Sequence, residues 1–311
     1  MKKLISVVSP TFNEQDNVKD LYARLSAVWG KFPNYDFELI VIDNASTDLT
    51  VERLKLIASK DQRLKIIVNN KNYGHLRSPY WGMLQAHGDA VIFLASDMQD
   101  PPELIENFIV LWEKGSKIVL GVKPTSNLNG ISHSLRKSYY RFLNKMSNIE
   151  IVNDATGFGI YDKKVMDLIR EINDPNPYFR GLVCELGYPI TTIEFKQAKR
   201  MRGVTKNNLY SLYDMAMMGF VNYSLIPIRM ASFFGIFLGA ISLVIGMGFF
   251  ISKLVWWDSI PLGIAPLAIS LFFLIGIVLI FIGILGEYIA SIIPHVRRRP
   301  IVIEQERVNF D

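Results

Sequence analysis

Short apolar runs alternate with segments of helical periodicity through the first part of this 311-residue chain. The apolar runs predict buried strands at 4–10, 37–43, 64–70, 90–96 and 117–122. Between them, apolar residues recur at helical spacing in 14–29, 50–59, 78–88 and 101–115, the last opened by a double proline. This alternation predicts an α/β domain of Rossmann-like type, with a mostly parallel sheet covered by helices on both faces.

Two later stretches carry no charged residue, 230–252 and 259–286. Each exceeds the roughly 20 residues that cross a hydrocarbon core of about 30 Å, and soluble helices rarely run so far without a charge. We therefore predict a hairpin of two transmembrane helices, at about 230–252 and 262–286. Two buried helices of a soluble protein are the alternative.

The charges that flank the hairpin predict its orientation. Arg229 precedes the first span and Arg297 to Arg299 follow the second, whereas the connection carries Trp256 and Trp257. The excess of positive charge at both ends predicts that both lie in the cytoplasm, with the tryptophans at the far interface. The N-terminal apolar run is short and lacks a cleavage site, so we expect no signal peptide.

These patterns divide the chain into four predicted regions of a multi-pass protein of the cell (inner or plasma) membrane. Residues 1–204 form the cytoplasmic α/β domain, and 205–228 form amphipathic helices in the membrane interface. Residues 229–288 hold the transmembrane hairpin, and 289–311 form a basic cytoplasmic tail. Gly235, Gly239, Gly246 and Gly248 allow close helix packing, which is compatible with a homo-oligomer.

Composition excludes several classes of protein. The net charge of +5 and the pI near 9.1 fit a domain that lies against anionic lipid. No basic stripe is interleaved with aromatic residues, so nucleic acid is not an expected partner. Cys184 is the single cysteine, which excludes an intramolecular disulfide, and the four histidines are scattered without zinc-ligand spacing.

Polar residues follow the first, second and fourth predicted strands, where a parallel sheet binds its ligands. They are Pro10 to Glu14 after the first, Asp43 to Asp48 after the second, and Ser96 to Gln99 after the fourth. The first turn, "SPTFNEQD", contains no glycine, and no phosphate-loop motif is present. A plain NAD enzyme or a P-loop ATPase is therefore not expected.

Four motifs, in this order and spacing, resemble those of a known family: "SVVSPTFNEQDNV", "ELIVIDNASTDLT", "NYGH" and "ASDMQDPPELI". They are similar to family-two inverting glycosyltransferases of the GT-A fold. Within that family the match is to polyprenyl-phosphate glycosyltransferases, relatives of dolichol-phosphate mannose synthase and of the bacterial GtrB proteins. The resemblance covers essentially the whole chain, including the C-terminal hairpin.

The resemblance implies a nucleotide-sugar donor and assigns residues to it. It places nucleoside contacts at Pro10, Phe12, Glu14 and Asp43, with Ser96, Asp97 and Gln99 near the diphosphate. The structural alternative makes Asp43 and Asp48 an Asx turn and a helix cap; for Asp48 this interpretation is preferred. Asp100, before the double proline, is predicted to cap the following helix.

The motif "ASDMQD" corresponds to the family's metal-binding D-x-D followed by Gln, and implies Mg²⁺ or Mn²⁺ as cofactor. Ala95 stands where the first Asp is usual, so Asp97 is the remaining metal ligand and a catalytic residue. Mg²⁺ accepts few protein ligands when phosphates and water complete its shell. We therefore expect the metal to bind more weakly than in relatives with both carboxylates.

The acceptor side is assigned by resemblance as well. Arg136, Arg202 and Lys206 are predicted to meet the acceptor phosphate or the diphosphate, with a solvated basic face or a polybasic membrane contact as the alternatives. Many relatives carry Asp where this chain has Gly157, and the neighbouring carboxylate, Asp154, is the candidate catalytic group that fixes or activates the acceptor. A loop cap is the alternative role for Asp154.

The predicted function is inverting transfer of one hexose from a nucleotide sugar to polyprenyl (undecaprenyl-type) phosphate at the cytoplasmic membrane face, giving a lipid-linked sugar for glycan modification of the cell envelope. UDP-glucose is the first choice of donor, and UDP-N-acetylglucosamine and GDP-mannose are the alternatives. A processive synthase would need further spans and a Gln/Arg-Trp motif that the chain lacks. A non-catalytic membrane scaffold with a degenerate site is the rival outside catalysis, suggested by Ala95 and Gly157.

Overall fold

The computed structural model describes residues 2–123, 152, 155–196, 226–255, 264–297 and 299–310. The strands are β1 (Lys3–Thr11), β2 (Tyr35–Asp43), β3 (Leu64–Asn69), β4 (Ala90–Phe93), β5 (Ile118–Val122), β6 (Ala155–Asp162), β7 (Ile190–Glu194) and β8 (Glu304–Val308). The helices are α1 (Val18–Trp29), α2 (Thr50–Ala58), α3 (Gly74–Leu84), α4 (Ile105–Glu113, after a 3₁₀ turn at Pro102–Leu104), α5 (Lys163–Ile172), α6 (Phe179–Glu185), α7 (Ile226–Val255) and α8 (Ile264–Arg297).

The strands form one sheet in the order β7-β5-β6-β4-β1-β2-β3-β8. The pairs β4-β1, β1-β2, β2-β3 and β5-β7 are parallel, while β6 runs antiparallel to both β4 and β5. The predicted mostly parallel sheet is confirmed. Because β1, β2 and β4 are parallel neighbours, their carboxyl ends meet at one edge.

Side chains from both faces of the central strands are buried, which explains their nearly continuous apolar sequences. In β2, Leu39 and Val41 pack under α1, α2 and α4, whereas Ile40 and Ile42 pack under α3 and α5 on the other face. The helices supply matching apolar stripes, such as Leu21 and Leu25 of α1 and Tyr80 and Met83 of α3. Helices therefore cover both faces, as predicted.

The predicted strands and helices of the first 122 residues are all present, with shifted ends. The fourth strand ends at Phe93 rather than Ser96, since the chain turns away from β1 after the bond from Leu94 N–H to the Val8 carbonyl. The third helix begins at Gly74 instead of Ser78. Strands β6, β7 and β8 were not predicted.

The uncharged stretch 230–252 lies within the long helix α7, and the described part of the second stretch, 264–286, lies within the long helix α8. Within the described residues, Phe273–Arg297 is the one segment long and apolar enough to cross a membrane. Almost none of it is buried against the rest of the protein. In α7, a shorter apolar segment runs over Ile228–Ile241. Large side chains such as Phe233 and Leu279 are exposed on these helices.

Beyond α8 the chain returns to the sheet, because β8 pairs antiparallel with β3. Side-chain bonds fasten it there: Glu304 accepts from the Trp81 indole, and Lys55 contacts Glu306 at 2.6 Å. Ile301 and Val302, just before the strand, are buried in the same core as α3 and α5. The basic region predicted as a tail thus contains an edge strand.

Asn309 provides a test of this attachment. Its side-chain Nδ2 donates to the carbonyls of Ala58 and Leu64, at 3.0 and 2.8 Å, and its φ is +61°. We expect Asn309→Ala to cost about 1–3 kcal/mol, from two unsatisfied carbonyls and from the strain of Ala at positive φ. The melting temperature of the detergent-solubilised protein should fall by roughly 2–8 °C.

The matched control is Gln305→Ala, which changes an exposed residue of β8 and should leave the melting temperature within about 1 °C. Equal melting temperatures for Asn309→Ala and the wild type would show that the strand is not held by this side chain.

Candidate functional site

The carboxyl end of β1 lies between the ends of β2 and β4, and both neighbours are bonded to it. The Asn44 N–H donates to the Thr11 carbonyl at 2.9 Å, and the Ser96 hydroxyl donates to the Pro10 carbonyl at 2.8 Å. Asp43 is paired with Thr11 in the sheet, and Asp97 follows Ser96 on the opposite side of β1. Because β1 lies between β2 and β4, Asp43 and Asp97 are separated by two strand spacings, about 10 Å.

The loops after β1 and β2 are joined by hydrogen bonds. The Asn13 N–H donates to the Ser46 hydroxyl and the Glu14 N–H to Thr50 Oγ1, at 2.8 and 2.9 Å. The Asn13 carbonyl-type oxygen Oδ1 accepts from the Thr47 N–H at 2.8 Å. The predicted nucleoside-binding residues therefore lie on a braced surface. Of these, Glu14 is buried and accepts a bond from the Asn17 side chain, while Phe12 and Pro10 are half-buried.

Asp43 is fully buried, and both of its carboxylate oxygens accept bonds from Ser46, one from the N–H at 2.8 Å and one from the hydroxyl. Burial raises the pKa of Asp43, and the Ser46 bonds oppose that rise. The Asx-turn alternative for Asp43 thus describes its contacts in this structure. Asp48 has the predicted structural contacts too, since it accepts bonds from the N–H and hydroxyl of Thr50 at the start of α2.

The loop after β4 presents Asp97 and Gln99, both half-buried, beside the end of β1. Asp97 accepts a bond from the Gln99 N–H at 3.2 Å, and Met98 between them adopts φ +60°. Ser96 is buried, and its hydroxyl is used in the bond to Pro10. In this structure Ser96 therefore braces the loop, and Asp97 and Gln99 are the groups available to a ligand.

Three residues of these loops occupy the left-handed region without being glycine: Asn13, Ala45 and Met98, with φ of 56°, 62° and 60°. For Ala and Met this conformation costs about 1–2 kcal/mol each. Each residue follows a different strand of the trio β1, β2 and β4, so the strain is concentrated at one edge of the sheet. Such clusters are typical of sites whose groups must be held in a set geometry. Sequence patterns carry no signal for Ala45 or Met98.

Thr11 is a further residue at this edge that the sequence analysis did not assign. Its side chain is buried at the end of β1, and within the described residues its hydroxyl oxygen has no hydrogen-bond partner. A buried hydroxyl without a partner costs stability. Its position between Asp43 and Ser96 makes Thr11 a candidate contact for a ligand.

The prediction that Asp100 caps the next helix is wrong. The 3₁₀ turn starts from Pro101 without a side-chain cap, and Asp100 is buried, with 5% exposure. Its oxygen Oδ1 has no partner among the described residues. Burial raises the pKa of Asp100 to about 6, and the charge of Asp97 adds to this rise while Lys123 and Arg180 oppose it.

The donor groups of the β4 loop fit a hard divalent cation. Asp97 supplies a carboxylate and Gln99 an amide oxygen, the ligand types that Mg²⁺ and Mn²⁺ prefer. Within the described residues, no group of three His, Cys, Asp or Glu side chains is placed to hold a metal by itself. A cation at Asp97 would therefore depend on phosphate oxygens and water for the rest of its shell.

The other predicted site residues, Arg136, Asp154, Arg202 and Lys206, lie outside the described residues. Gly157, where relatives were expected to carry Asp, adopts φ +90° at the start of β6. A side chain is strained at that φ, so the glycine matches its backbone here.

The family model of glycosyl transferase family 2 matches residues 6–169, which include every loop just described. The chain belongs to glycosyl transferase family 2. It is therefore a glycosyltransferase, and the resemblance found in its motifs is confirmed. The family's GT-A architecture agrees with the mostly parallel sheet and its two helical layers.

Relatives of this family 2 member match over nearly its whole length. The uncharacterized glycosyltransferase YkcC of Bacillus subtilis (strain 168) is 32% identical, covering 98% of this chain and 94% of the relative. The SfII prophage-derived bactoprenol glucosyl transferase of Shigella flexneri is 30% identical, covering 95% and 96%. The crystal structure of S. aureus TarS 1–349 in complex with UDP-GlcNAc superimposes with a TM-score of 0.44 at 20% identity, over 72% of this chain and 68% of the TarS 1–349 chain.

Asp100 predicts a pH dependence of stability. Its pKa is about 6 in the folded protein against 3.8 for an ordinary aspartate, so the folded state holds an extra proton between these two pH values. Stability then falls as pH rises through this window, and the full penalty, on the order of 3 kcal/mol, applies above pH 6. We expect Asp100→Asn to raise the melting temperature at pH 7.5 and to have no such effect at or below pH 4.

Exposed Asp36 on β2 provides the control, since Asp36→Asn removes the same charge and should change the melting temperature little at either pH. A lower melting temperature for Asp100→Asn at pH 7.5 would contradict the burial argument.

Proposed function

We propose that this family 2 glycosyltransferase transfers a single hexose, with UDP-glucose as first choice of donor, to polyprenyl phosphate at the cytoplasmic face of the membrane. The observation that carries the proposal is the placement of Asp43 and Asp97 on either side of the β1 end, on loops held by hydrogen bonds and by residues at positive φ. Relatives of nearly equal length named bactoprenol glucosyl transferase support the acceptor class.

The donor would lie across the carboxyl ends of β2, β1 and β4. Asp43 would accept a hydrogen bond from the base or ribose, next to the half-buried ring of Phe12. Asp97 and Gln99 lie about 10 Å away, where the diphosphate would reach. They would hold a Mg²⁺ or Mn²⁺ ion there. When bound, such an ion would neutralise negative charge on the diphosphate as it leaves.

The acceptor phosphate oxygen would attack the anomeric carbon from the face opposite the diphosphate, so that the new C–O bond forms as the old one breaks and the configuration inverts. A phosphate monoester is already ionised near neutral pH and needs little general-base help. Asp154 would therefore mainly position the acceptor, and Arg136, Arg202 and Lys206 would balance phosphate charge. Most of the acceleration would come from positioning and electrostatics.

Membrane insertion of α7 and α8 would place this reaction at a lipid surface. Both helices expose large apolar side chains, such as Phe237 and Leu279, which is favourable in lipid and costly in water. The predicted orientation puts the sheet and both ends of the hairpin on the cytoplasmic side, where nucleotide sugars are made.

Incubation of the purified protein with labelled UDP-glucose, undecaprenyl phosphate and Mg²⁺ tests the proposal. We expect label in the organic extract from the wild type, and a loss of at least about 100-fold in rate for Asp97→Asn, because a charge that acts on the leaving group is removed. Asp36→Asn, which removes an exposed carboxylate at the start of β2, is the matched control and should retain full activity.

The donor assignment is judged by repeating the assay with UDP-N-acetylglucosamine and GDP-mannose. Label transfer from one of these alone would replace UDP-glucose and keep the reaction class. The absence of lipid-extractable label with any nucleotide sugar would contradict the proposed transfer to polyprenyl phosphate.

Ala95 supplies a gain-of-function prediction. It is half-buried, two residues before Asp97 on the same loop, so Ala95→Asp would restore the family's second carboxylate. We expect the Mg²⁺ concentration for half-maximal activity to fall on the order of tenfold, since added ligand charge strengthens binding. Ala95→Asn adds the same bulk without charge and should give a much smaller change. An unchanged Mg²⁺ requirement in Ala95→Asp would place the cation away from this loop.

A further inference from the structure

The loop that follows β3 lies between the proposed donor site and the last part of the chain. This loop, 70–74, leads from β3 into α3, and Lys71, Asn72 and Gly74 are exposed. Apolar burial therefore does little to fix the loop, and its hydrogen bonds decide where it lies. Because β3 is the parallel neighbour of β2, the loop starts at the same edge of the sheet as Asp43.

On the side of the proposed site, Asn44 holds the middle of the loop. Its side-chain Nδ2 donates to Asn72 Oδ1 at 2.9 Å and to the Gly74 carbonyl at 3.1 Å. Its Oδ1 accepts from the Tyr73 N–H at 2.8 Å. Asn44 is buried and directly follows Asp43. The loop is thus bonded to the residue next to the proposed nucleoside contact.

On the other side, the loop and the turn after it are bonded to the C-terminal segment 300–303, which lies between α8 and β8. The Asn70 N–H donates to the Ile303 carbonyl at 3.0 Å. In the first turn of α3, Arg77 Nη2 donates to the Pro300 carbonyl, also at 3.0 Å. The two middle residues of the segment are buried in the core under α3. The segment is therefore fixed to the core and holds the loop from outside.

Arg77 contacts the loop and the C-terminal segment at once. Its guanidinium carbon lies 5.6 Å from the centre of the Tyr73 ring, while the same group donates to Pro300. A guanidinium over an aromatic ring is attracted to it. Tyr73 in turn donates from its hydroxyl to Asn70 Oδ1 at 2.8 Å. The ammonium of Lys71 also lies over this ring, at 5.1 Å, but Lys71 is exposed and belongs to the loop itself.

We propose that the segment 300–303 is a strap that positions the loop 70–74 for the nucleoside of the donor, with Arg77 as the positioning residue that joins the two. This inference rests on the proposed function, which would place the nucleoside at Asp43. The coupling is reciprocal: if the seated strap strengthens nucleotide binding, a bound nucleotide stabilises the seated strap by the same factor. The strap closely follows α8, so donor binding would also depend on how the apolar helix holds this part of the chain.

Nucleotide binding to the full chain in detergent micelles tests the coupling. UDP and uridine are titrated calorimetrically in Mg²⁺, and GDP and guanosine replace them if the donor assay selects GDP-mannose. Arg77→Met keeps bulk beside Tyr73 but removes the hydrogen-bond donor, whereas Arg77→Lys keeps a donor. Lys71→Met is the matched control, because it removes the other cation over the Tyr73 ring and leaves the strap contact intact. Melting temperatures show whether each variant is folded.

We expect Arg77→Met to weaken the binding of UDP and of uridine by the same factor, about five- to tenfold, since the nucleoside end of the site is disturbed rather than the phosphate end. The KM for undecaprenyl phosphate should stay unchanged. Arg77→Lys should recover part of the lost affinity, and Lys71→Met should bind both compounds as the wild type does.

Hydrogen exchange of the wild type measures the coupling in the reverse direction. Saturating UDP should slow amide exchange in peptides that cover 300–308, although this segment lies outside the proposed donor site. The slowing should be smaller in Arg77→Met. Because the main comparison uses the wild type alone, it judges the strap even where a variant fails to fold.

Equal affinities in Arg77→Met and the wild type would overturn the proposal, as would exchange at 300–308 that UDP leaves unchanged. A loss for UDP without a loss for uridine, or an equal loss in Lys71→Met, would also overturn it, since positive charge rather than the strap would then be responsible. A wild type that transfers no sugar to lipid, but whose nucleotide affinity depends on Arg77, contradicts the proposed function and supports the strap. A wild type that binds neither nucleotide contradicts the donor site and the strap together.

Discussion

The carboxyl end of β1 is the constraint on which the site depends. Its last two carbonyls, of Pro10 and Thr11, are used to hold the neighbouring chains, one through Ser96 and the other through the Asn44 N–H. Because those bonds fix where the β2 and β4 loops start, they also fix the separation of Asp43 and Asp97. Helices cover both faces of these strands and bury them. The polar residues at the sheet edge are therefore attached to a close-packed core, which deforms little.

This support explains how unfavourable local conformations persist. Ala45 and Met98 stay at positive φ, and Asp43 and Asp100 stay buried although burial raises the pKa of each. Each of these features opposes folding by itself. They lie together at the ends of β2 and β4, where, in the proposed site, they would orient carboxylates before a substrate arrives. The apolar core offsets their cost, and the proposed function would gain an electrostatic environment that needs no rearrangement on binding.

The sequence predicts those elements whose apolar pattern repeats along the chain. It does not predict the elements and side-chain positions that depend on a single tertiary contact. The strands of the first 122 residues were predictable since buried runs such as 37–43 alternate with amphipathic helices. Strand β8 could not be predicted in this way, because Glu304–Val308 is rich in charged residues. It is held in the sheet by side-chain contacts with residues such as Trp81 and Lys55. Asp100 precedes two prolines and so resembled a cap, but the loop turns its carboxyl group inward. The bond from the Ser96 hydroxyl to the Pro10 carbonyl likewise follows from tertiary packing.

The path of the chain after the sheet constrains the apolar helices more than a single linker would. The chain leaves the sheet after β7 at one edge and returns as β8 at the other, eight strands across, a width of about 34 Å. At the end of α8, His295 Nε2 lies 3.3 Å from Asp174 Oδ1, between α5 and α6. Attachment at separated points resists rotation of the sheet about any one of them. With α7 and α8 in a membrane, the site edge would keep one orientation to the lipid surface, as an enzyme with a lipid-borne acceptor requires.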